Sequence, residues 1–398
     1  MNVKGFVERG FEPVREVFER NLNKEIGVAC AIYHKGKKVV DLWGGFADFK
    51  TKREWKVDTL VPVFSSTKGF ASLAAAVAVS KGLIDYDAKV ADYWDEFGQD
   101  SKKEITVRQL LAHQAGLCSL DQLKINHIGE LDTSYIASQL AGLKPEWEPG
   151  SMHGYHTWTI GWFIGEIIRR ADPKGRKLGQ FFQDEIAQPL QAEFYIGLPE
   201  EISLNRLALV YGLESPLHLL YHLHEIPTPL LLGFLNPKSL TTRSMIDPNQ
   251  MVKHSNFNKR EMLSIEFPSG NGVGLARSMA KIYGEFATGG KNLNLSDAII
   301  NELLKPASSP TNGWYDHVNR KHLGYSLGFW KPIKGSEFGS SHHAFGHPGA
   351  GGSFCFADPD MGVGYAYVMN KIGGYMDRNP RENEIRRVFY QCLQKLEK

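Results

Sequence analysis

Cysteine is scarce and scattered. Cys30, Cys118, Cys355 and Cys392 are the only four in 398 residues, and no two form a C-x-x-C pair. That spacing argues against a zinc or redox centre, and a chain of this length needs no disulfide framework to hold a core. No run of about 18 apolar residues occurs, so no spanning helix is expected. Residues 1–21 alternate charged and apolar side chains and lack the unbroken apolar stretch of a secretory signal. The expected compartment is therefore the cytoplasm, although a mature chain that had lost such a signal would look the same. An excess of one charge is also missing: Lys plus Arg number 46 against 44 Asp plus Glu. There is no basic stripe of the kind a nucleic-acid partner requires. Internal repeats and low-complexity tracts are absent. His342, His343 and His347 lie close in sequence, as do His218, His222 and His224, but no H-E-x-x-H pattern accompanies either group, and no metal site is read from them.

What is present is an ordinary globular composition, 42% hydrophobic and 23% charged, enough for a core of good size. Phe6, Val7, Phe11, Val14, Val17 and Phe18 recur at roughly helical spacing and predict an opening amphipathic helix, with Pro13 as a break or kink inside it. Residues 26–33 and 38–43 are rich in Val, Ile and aromatics and are separated by His34-Lys35-Gly36-Lys37, which predicts a β-hairpin. Residues 69–80 form an Ala-rich stretch long enough for a buried helix. From about 105 to 305 the pattern is mainly helical, punctuated by Pro145, Pro149-Gly150 and Pro268-Ser269-Gly270. Strand patterns return at 323–330, 352–357 and 362–369, and a helix over 382–395 closes the chain. Strands at both ends with helices between them predict a mixed α/β fold, with one sheet built from both termini and a helical lobe inserted in the middle. The expected division is a single catalytic domain over 1–398, with 1–85 and 310–398 as the sheet region and 86–309 as the mainly helical lobe. Within that lobe, residues 206–237 are dense in Leu and broken by Pro216, Pro227 and Pro229. They read as a helical hairpin packed on the lobe, as an apolar lid over a cleft, or as a surface touching a membrane, the last disfavoured by a polar face poor in Lys and Arg.

Ser65-Ser66-Thr67-Lys68 carries the S-x-x-K pattern. Ser65 falls where a strand-like segment gives way to a helix, and residues three apart on a first helical turn share a face, so the Lys68 amine can reach the serine hydroxyl. Unpaired N–H groups at a helix start favour an alkoxide and can supply part of an oxyanion hole. A lysine whose pKa is lowered by burial can accept the serine proton. The pattern recurs by chance, as in Ser278-Met279-Ala280-Lys281, but there the serine lies inside a helical run and is expected to bond back within its own helix.

The context of Ser65 resembles a known family. The motif is followed by the Ala-rich stretch, by Lys81-Gly82-Leu83-Ile84-Asp85, and by Leu110-Leu111-Ala112-His113-Gln114-Ala115-Gly116-Leu117. Together these resemble class C β-lactamases, penicillin-binding proteins and, most closely, family VIII carboxylesterases. Tyr155-His156-Thr157, after Pro149-Gly150, resembles that family's second motif, and His347-Pro348-Gly349 the third. The resemblance implies a β-lactamase/transpeptidase-like fold with an antiparallel sheet flanked by helices. It also implies an acyl-enzyme on Ser65, Lys68 as its base, and Tyr155 as partner base with phenolate character. The Ser65 and Ala350 N–H groups would form the oxyanion hole, with Gly349 allowing close approach and His347 and Thr157 contacting substrate. No metal or cofactor is needed by this arrangement. Taken without the resemblance, Tyr155 reads as a buried aromatic, Gly349 to Gly352 as a strand turn, and His113 as a brace in the lobe. Penicillin-recognising enzymes usually carry Lys at the place of His347 and Asn at that of Thr157, which puts β-lactam specificity in doubt. The expected activity is cleavage of small esters or amides. Alternatives are a β-lactamase, D-amino-acid peptidase or acyltransferase on the same scaffold, or a catalytically idle scaffold protein. Oligomeric state is not legible.

Overall fold

The β-branched and aromatic runs near the two chain ends meet in one sheet. The computed structural model describes residues 2–131, 133–212, 222–246, 253–375 and 378–397. The first strands are β1 (Val3–Val7), β2 (Gly27–His34), β3 (Lys37–Asp48) and β4 (Arg53–Glu54). Three short strands, β5 (Val61–Pro62), β6 (Phe194–Tyr195) and β7 (Val273–Gly274), make a second sheet in the order β5-β7-β6. β8 (Tyr315–Asp316) pairs with β9 (Lys321–His322). The chain then returns through β10 (Gly324–Ser326), β11 (Phe329–Lys331), β12 (Phe345–Pro348), β13 (Phe354–Asp358) and β14 (Val363–Met369). The main sheet runs β1-β3-β2-β14-β13-β12-β11-β10, with β4 attached to β3. The seam between the two chain ends is β2 against β14, from Val28 opposite Met369 to His34 opposite Val363. The expected hairpin is β2 and β3, and the closing helix runs Pro380–Leu396.

The opening helix starts later than its spacing predicts. Residues 3–7 form β1, an edge strand with Phe6 41% exposed, and helix α1 spans Glu12–Leu22. Pro13 sits in the first turn of α1 and does not kink it, because a first-turn residue has no intrahelical N–H bond to lose. Helix α2 (Ser66–Ser80) is buried from Ser66 through Ala78. It lies between the sheet at β12 and the helix Thr159–Ala171, and its alanines at 71, 74, 75, 76 and 78 let both neighbours come close. Phe70 and Leu73 are fully covered, each contributing roughly 2 kcal/mol of burial.

The middle of the chain is less uniformly helical than expected, since β6 and β7 interrupt it. The reading of 206–237 as a helical hairpin does not hold for its first residues. Leu207 bridges Leu60, the Leu209 N–H donates to the Ala47 carbonyl and Tyr211 bridges Lys371, so this part runs extended. Residues 213–221 lie outside the described residues. Among the described residues that follow, Leu223–Glu225 form a 3-10 turn and Thr228–Phe234 a helix with Pro229 in its first turn. Among the described residues no helix is long and apolar enough to cross a membrane.

Candidate active site

The turn from β5 into α2 is made by Phe64, whose φ of +49° is unusual for a side chain of this size. Such strain costs of order 1–3 kcal/mol and persists only where packing enforces it. Here the Phe64 ring lies 4.7 Å from that of Phe257. The turn leaves Ser65 half-buried at the helix start, with its side chain free of any capping hydrogen bond. One turn later, Lys68 is 1% exposed, with Nζ 3.0 Å from Ser65 Oγ and 2.7 Å from the Ser269 carbonyl oxygen that accepts from it. Burial holds the Lys68 amine well below its usual range, which favours the neutral form a base must have.

Tyr155 enters from the loop before the helix Thr159–Ala171. Its hydroxyl is a hydrogen-bond partner of Ser65 and lies 3.4 Å from His347 Nε2. His347 Nδ1 is 2.6 Å from the Pro348 carbonyl. A carbonyl only accepts, so the ring proton sits on Nδ1, and Nε2 accepts from the tyrosine. Burial, then the Lys68 amine, hold the His347 imidazole well below its usual range, so it stays neutral. The expected phenolate is not what this environment favours: burial raises the Tyr155 hydroxyl, outweighing the Ser65 hydrogen bond. Asp316 adds to that rise, so this environment favours the protonated phenol.

The third motif forms the opposite rim. A Cβ on Gly349 would lie 2.2 Å from Ser353 Oγ and 2.3 Å from the Val63 carbonyl oxygen. Only glycine lets this strand end approach the chain just before Ser65. Ala350 is exposed at the rim. Thr157 faces the cleft while its hydroxyl lies 3.1 Å from that of Ser244. A cavity of about 390 Å³ is lined by Ser65, Tyr155, Thr157, His347, Gly349 and Ala350. Its remaining wall is largely apolar, with Trp158, Phe234, Met245, Phe257 and Trp330. All seven residues singled out from sequence thus meet here, with Lys68 just beneath Ser65.

Other sequence features lie elsewhere. Ser278 does not bond back within its helix; its hydroxyl accepts from the Glu193 N–H at 2.8 Å. His113 is fully buried, and its Nδ1 accepts from the His156 N–H at 3.1 Å. His343 bonds Asp360 at the surface and His222 pairs with Glu225, while His218 lies outside the described residues. Among the described residues no group of three or more His, Cys, Asp or Glu could hold a metal ion.

Three residues escaped the sequence reading. Ser269 holds Lys68 through its carbonyl, and its hydroxyl accepts from the Gly161 N–H at 2.8 Å. Pro268-Ser269-Gly270 signalled only a turn. Arg381 donates to the Gly351 carbonyl at 2.6 Å and pairs with buried Glu25 at 2.8 Å, bracing the Ala350 loop from behind. Asp316 lies behind Tyr155, fully buried.

The comparisons with known proteins agree with this geometry. A sequence profile of the Beta-lactamase family matches residues 14–388. The esterase/β-lactamase LipL of Mycobacterium tuberculosis is 31% identical over 350 residues, covering 87% of this chain and 77% of that protein. A crystal structure of a family VIII carboxylesterase superimposes with a TM-score of 0.86 at 33% identity, covering 98% of this chain and 100% of that one. A penicillin-binding protein homologue from Caulobacter crescentus does so with a TM-score of 0.87 at 33% identity, over the same shares of both chains. The profile match spans the sheet from β2 to β14, the helical middle and all three motifs, and the chain belongs to the β-lactamase family of serine hydrolases.

Proposed function

We propose that the protein hydrolyses small, neutral carboxylic esters, and amides more slowly, through an acyl-enzyme on Ser65. The observation that carries this reading is the buried, neutral-leaning Lys68 amine 3.0 Å from Ser65 Oγ. Lys68 takes the serine proton as Oγ bonds to the carbonyl carbon. Tyr155 gives its proton to the departing alcohol oxygen and is resupplied by the Lys68 ammonium. Water then repeats the sequence in reverse, releasing the acid. The Ser65 and Ala350 N–H groups receive the oxyanion. In support, the neighbouring amides of Ser66, Thr67, Lys68 and Gly349 are taken up by protein carbonyls. The proposed catalytic unit is the whole chain, since Ser65 and Lys68 come from 1–85, Tyr155 from 86–309 and His347 from 310–398.

The neutral His347 favours esters over substrates that carry a carboxylate. Replacing a charge-assisted hydrogen bond by a neutral one weakens carboxylate binding by roughly 1–3 kcal/mol. Short p-nitrophenyl esters are therefore expected to turn over at least about tenfold faster than nitrocefin or penicillins. His347→Lys should raise the nitrocefin-to-ester ratio by a similar factor, even as total activity falls through the lost Tyr155 contact. Parallel kinetics with p-nitrophenyl butyrate and nitrocefin decide the matter. Faster nitrocefin turnover by the native protein would favour the penicillin-binding relative's side of the family instead.

The apolar wall sets acyl preference. Each buried methylene is worth about 0.8 kcal/mol, so specificity should rise a few-fold per carbon until the cavity fills. Among the described residues of the Leu-rich segment, Phe234 lines the cavity and Leu231 does not, while Leu219 lies outside the described residues. Phe234→Asn should flatten the chain-length profile from acetate to octanoate. A profile parallel to that of the native protein would make Phe234 a bystander.

A further inference from the structure

We propose that Asp316 is a positioning residue for Tyr155, a buried carboxylate that grips the tyrosine at its backbone end and steadies its ring through Tyr325 and His113. The proposal rests on the reading of Tyr155 as the proton carrier. Asp316 is 0% exposed. Its Oδ1 accepts from the Val318 N–H at 2.9 Å and the Asn319 N–H at 2.5 Å, its Oδ2 accepts from the Tyr325 hydroxyl at 2.7 Å, and the Tyr155 N–H also donates to it. Every one of these donors is neutral. Burial raises the Asp316 carboxyl, and the hydrogen bonds from Asn319, Tyr325, Val318 and Tyr155 work against that rise.

The consequence is a tyrosine held at three successive backbone groups. Its N–H is bound by Asp316, its carbonyl accepts from the Ser244 hydroxyl at 3.0 Å, and the next N–H, of His156, is taken by His113 Nδ1. The Tyr325 ring packs 4.7 Å from His113, and His113 packs 5.1 Å from Tyr155. With backbone and ring clamped, the hydroxyl keeps its place between Ser65 and His347. The groups facing Tyr155 are Ser65 and Lys68 from α2, His113 from the loop after the helix Val107–Leu111, His347 on β12, Asp316 on β8 and Tyr325 on β10. Lys68, His113 and His347 are all held toward their neutral forms by burial. Asp316, whose own carboxyl is raised by burial, adds to the burial that raises the phenol, and its part in the site is positional.

The test is a double-mutant cycle on p-nitrophenyl butyrate, with thermal melting as the check on folding. Asp316→Asn keeps the shape but places an amide against the Tyr155 N–H. It should lower kcat about 10- to 100-fold and leave KM within about threefold. In a Tyr155→Phe background the same change should cost less than about threefold, because the hydroxyl it serves is gone. If Asp316→Asn does not fold, Tyr325→Phe, which removes one donor and leaves the carboxylate, takes its place in the cycle with the same non-additive outcome expected. Losses that multiply in the double mutant, or a loss that falls on KM rather than kcat, overturn the proposal. Near-native turnover by Tyr155→Phe alone overturns the role of Tyr155 and this proposal with it, and that result is seen before Asp316 is changed.

Discussion

Ser65→Ala is expected to lower ester turnover by about 10⁴- to 10⁶-fold, the loss seen when one member of a coupled nucleophile–base unit is removed. Labelling by a fluorophosphonate probe should vanish with it. The fold should be nearly untouched. The Ser65 side chain caps no backbone group and is only half-buried, so its removal forfeits little beyond the contacts with Lys68 and Tyr155. Ser278→Ala is the natural contrast. It deletes the acceptor of the Glu193 N–H, which costs about 1 kcal/mol of stability, and should leave turnover intact. Steady-state kinetics and thermal melting on the two variants separate the S-x-x-K motif that reacts from the one that only packs. Near-normal activity in Ser65→Ala would remove the nucleophile from this account.

Lys68→Met should cost about 10³-fold or more in kcat, Tyr155→Phe a comparable amount, and the double variant little more than either. In the proposed mechanism protons pass between these groups as one unit, so removing one should largely silence the other. Multiplicative losses would show that they act separately. The pH dependence follows from the directions of the shifts. Activity should fall on the acid side as Lys68 gains its proton, at a pH well below the ordinary lysine range because burial disfavours the ammonium. No alkaline loss from Tyr155 is expected in the usual assay range, because burial raises the phenol. Stability carries the same signature. A lysine neutral in the folded state and protonated in the unfolded state gives the unfolded chain one more bound proton, so stability rises with pH between the lowered and the ordinary value. Lys68→Met should remove that slope in denaturant titrations.

The local part of this site was legible in the sequence, and the distant part was not. Ser65 and Lys68 are three residues apart on one helical turn, so their contact follows from backbone geometry alone. The β2–β3 hairpin was likewise written in alternation and a short polar turn. β1 was not, because Phe6 and Val7 of an edge strand happen to continue the spacing of α1. Ser269 reaches Lys68 across 201 positions, and Arg381 reaches Gly351 across 30. Such pairings depend on how the helical middle docks on the sheet, which no local pattern encodes. The expected phenolate also turns on tertiary context: it assumes a cationic Lys68 beside Tyr155, whereas burial lowers the Lys68 amine and raises the Tyr155 hydroxyl. The Leu-rich segment shows the same limit: composition announced an apolar surface, but only the fold places Phe234, not Leu231, on the cavity.

The most direct test of the central claim is peptide mapping by mass spectrometry after brief reaction with a fluorophosphonate or a slowly deacylating ester. The account predicts a single adduct on the peptide containing Ser65, stoichiometric with lost activity and greatly slowed in Lys68→Met. An adduct on another residue such as Ser278, or full ester turnover with Ser65 left unmodified, would contradict it.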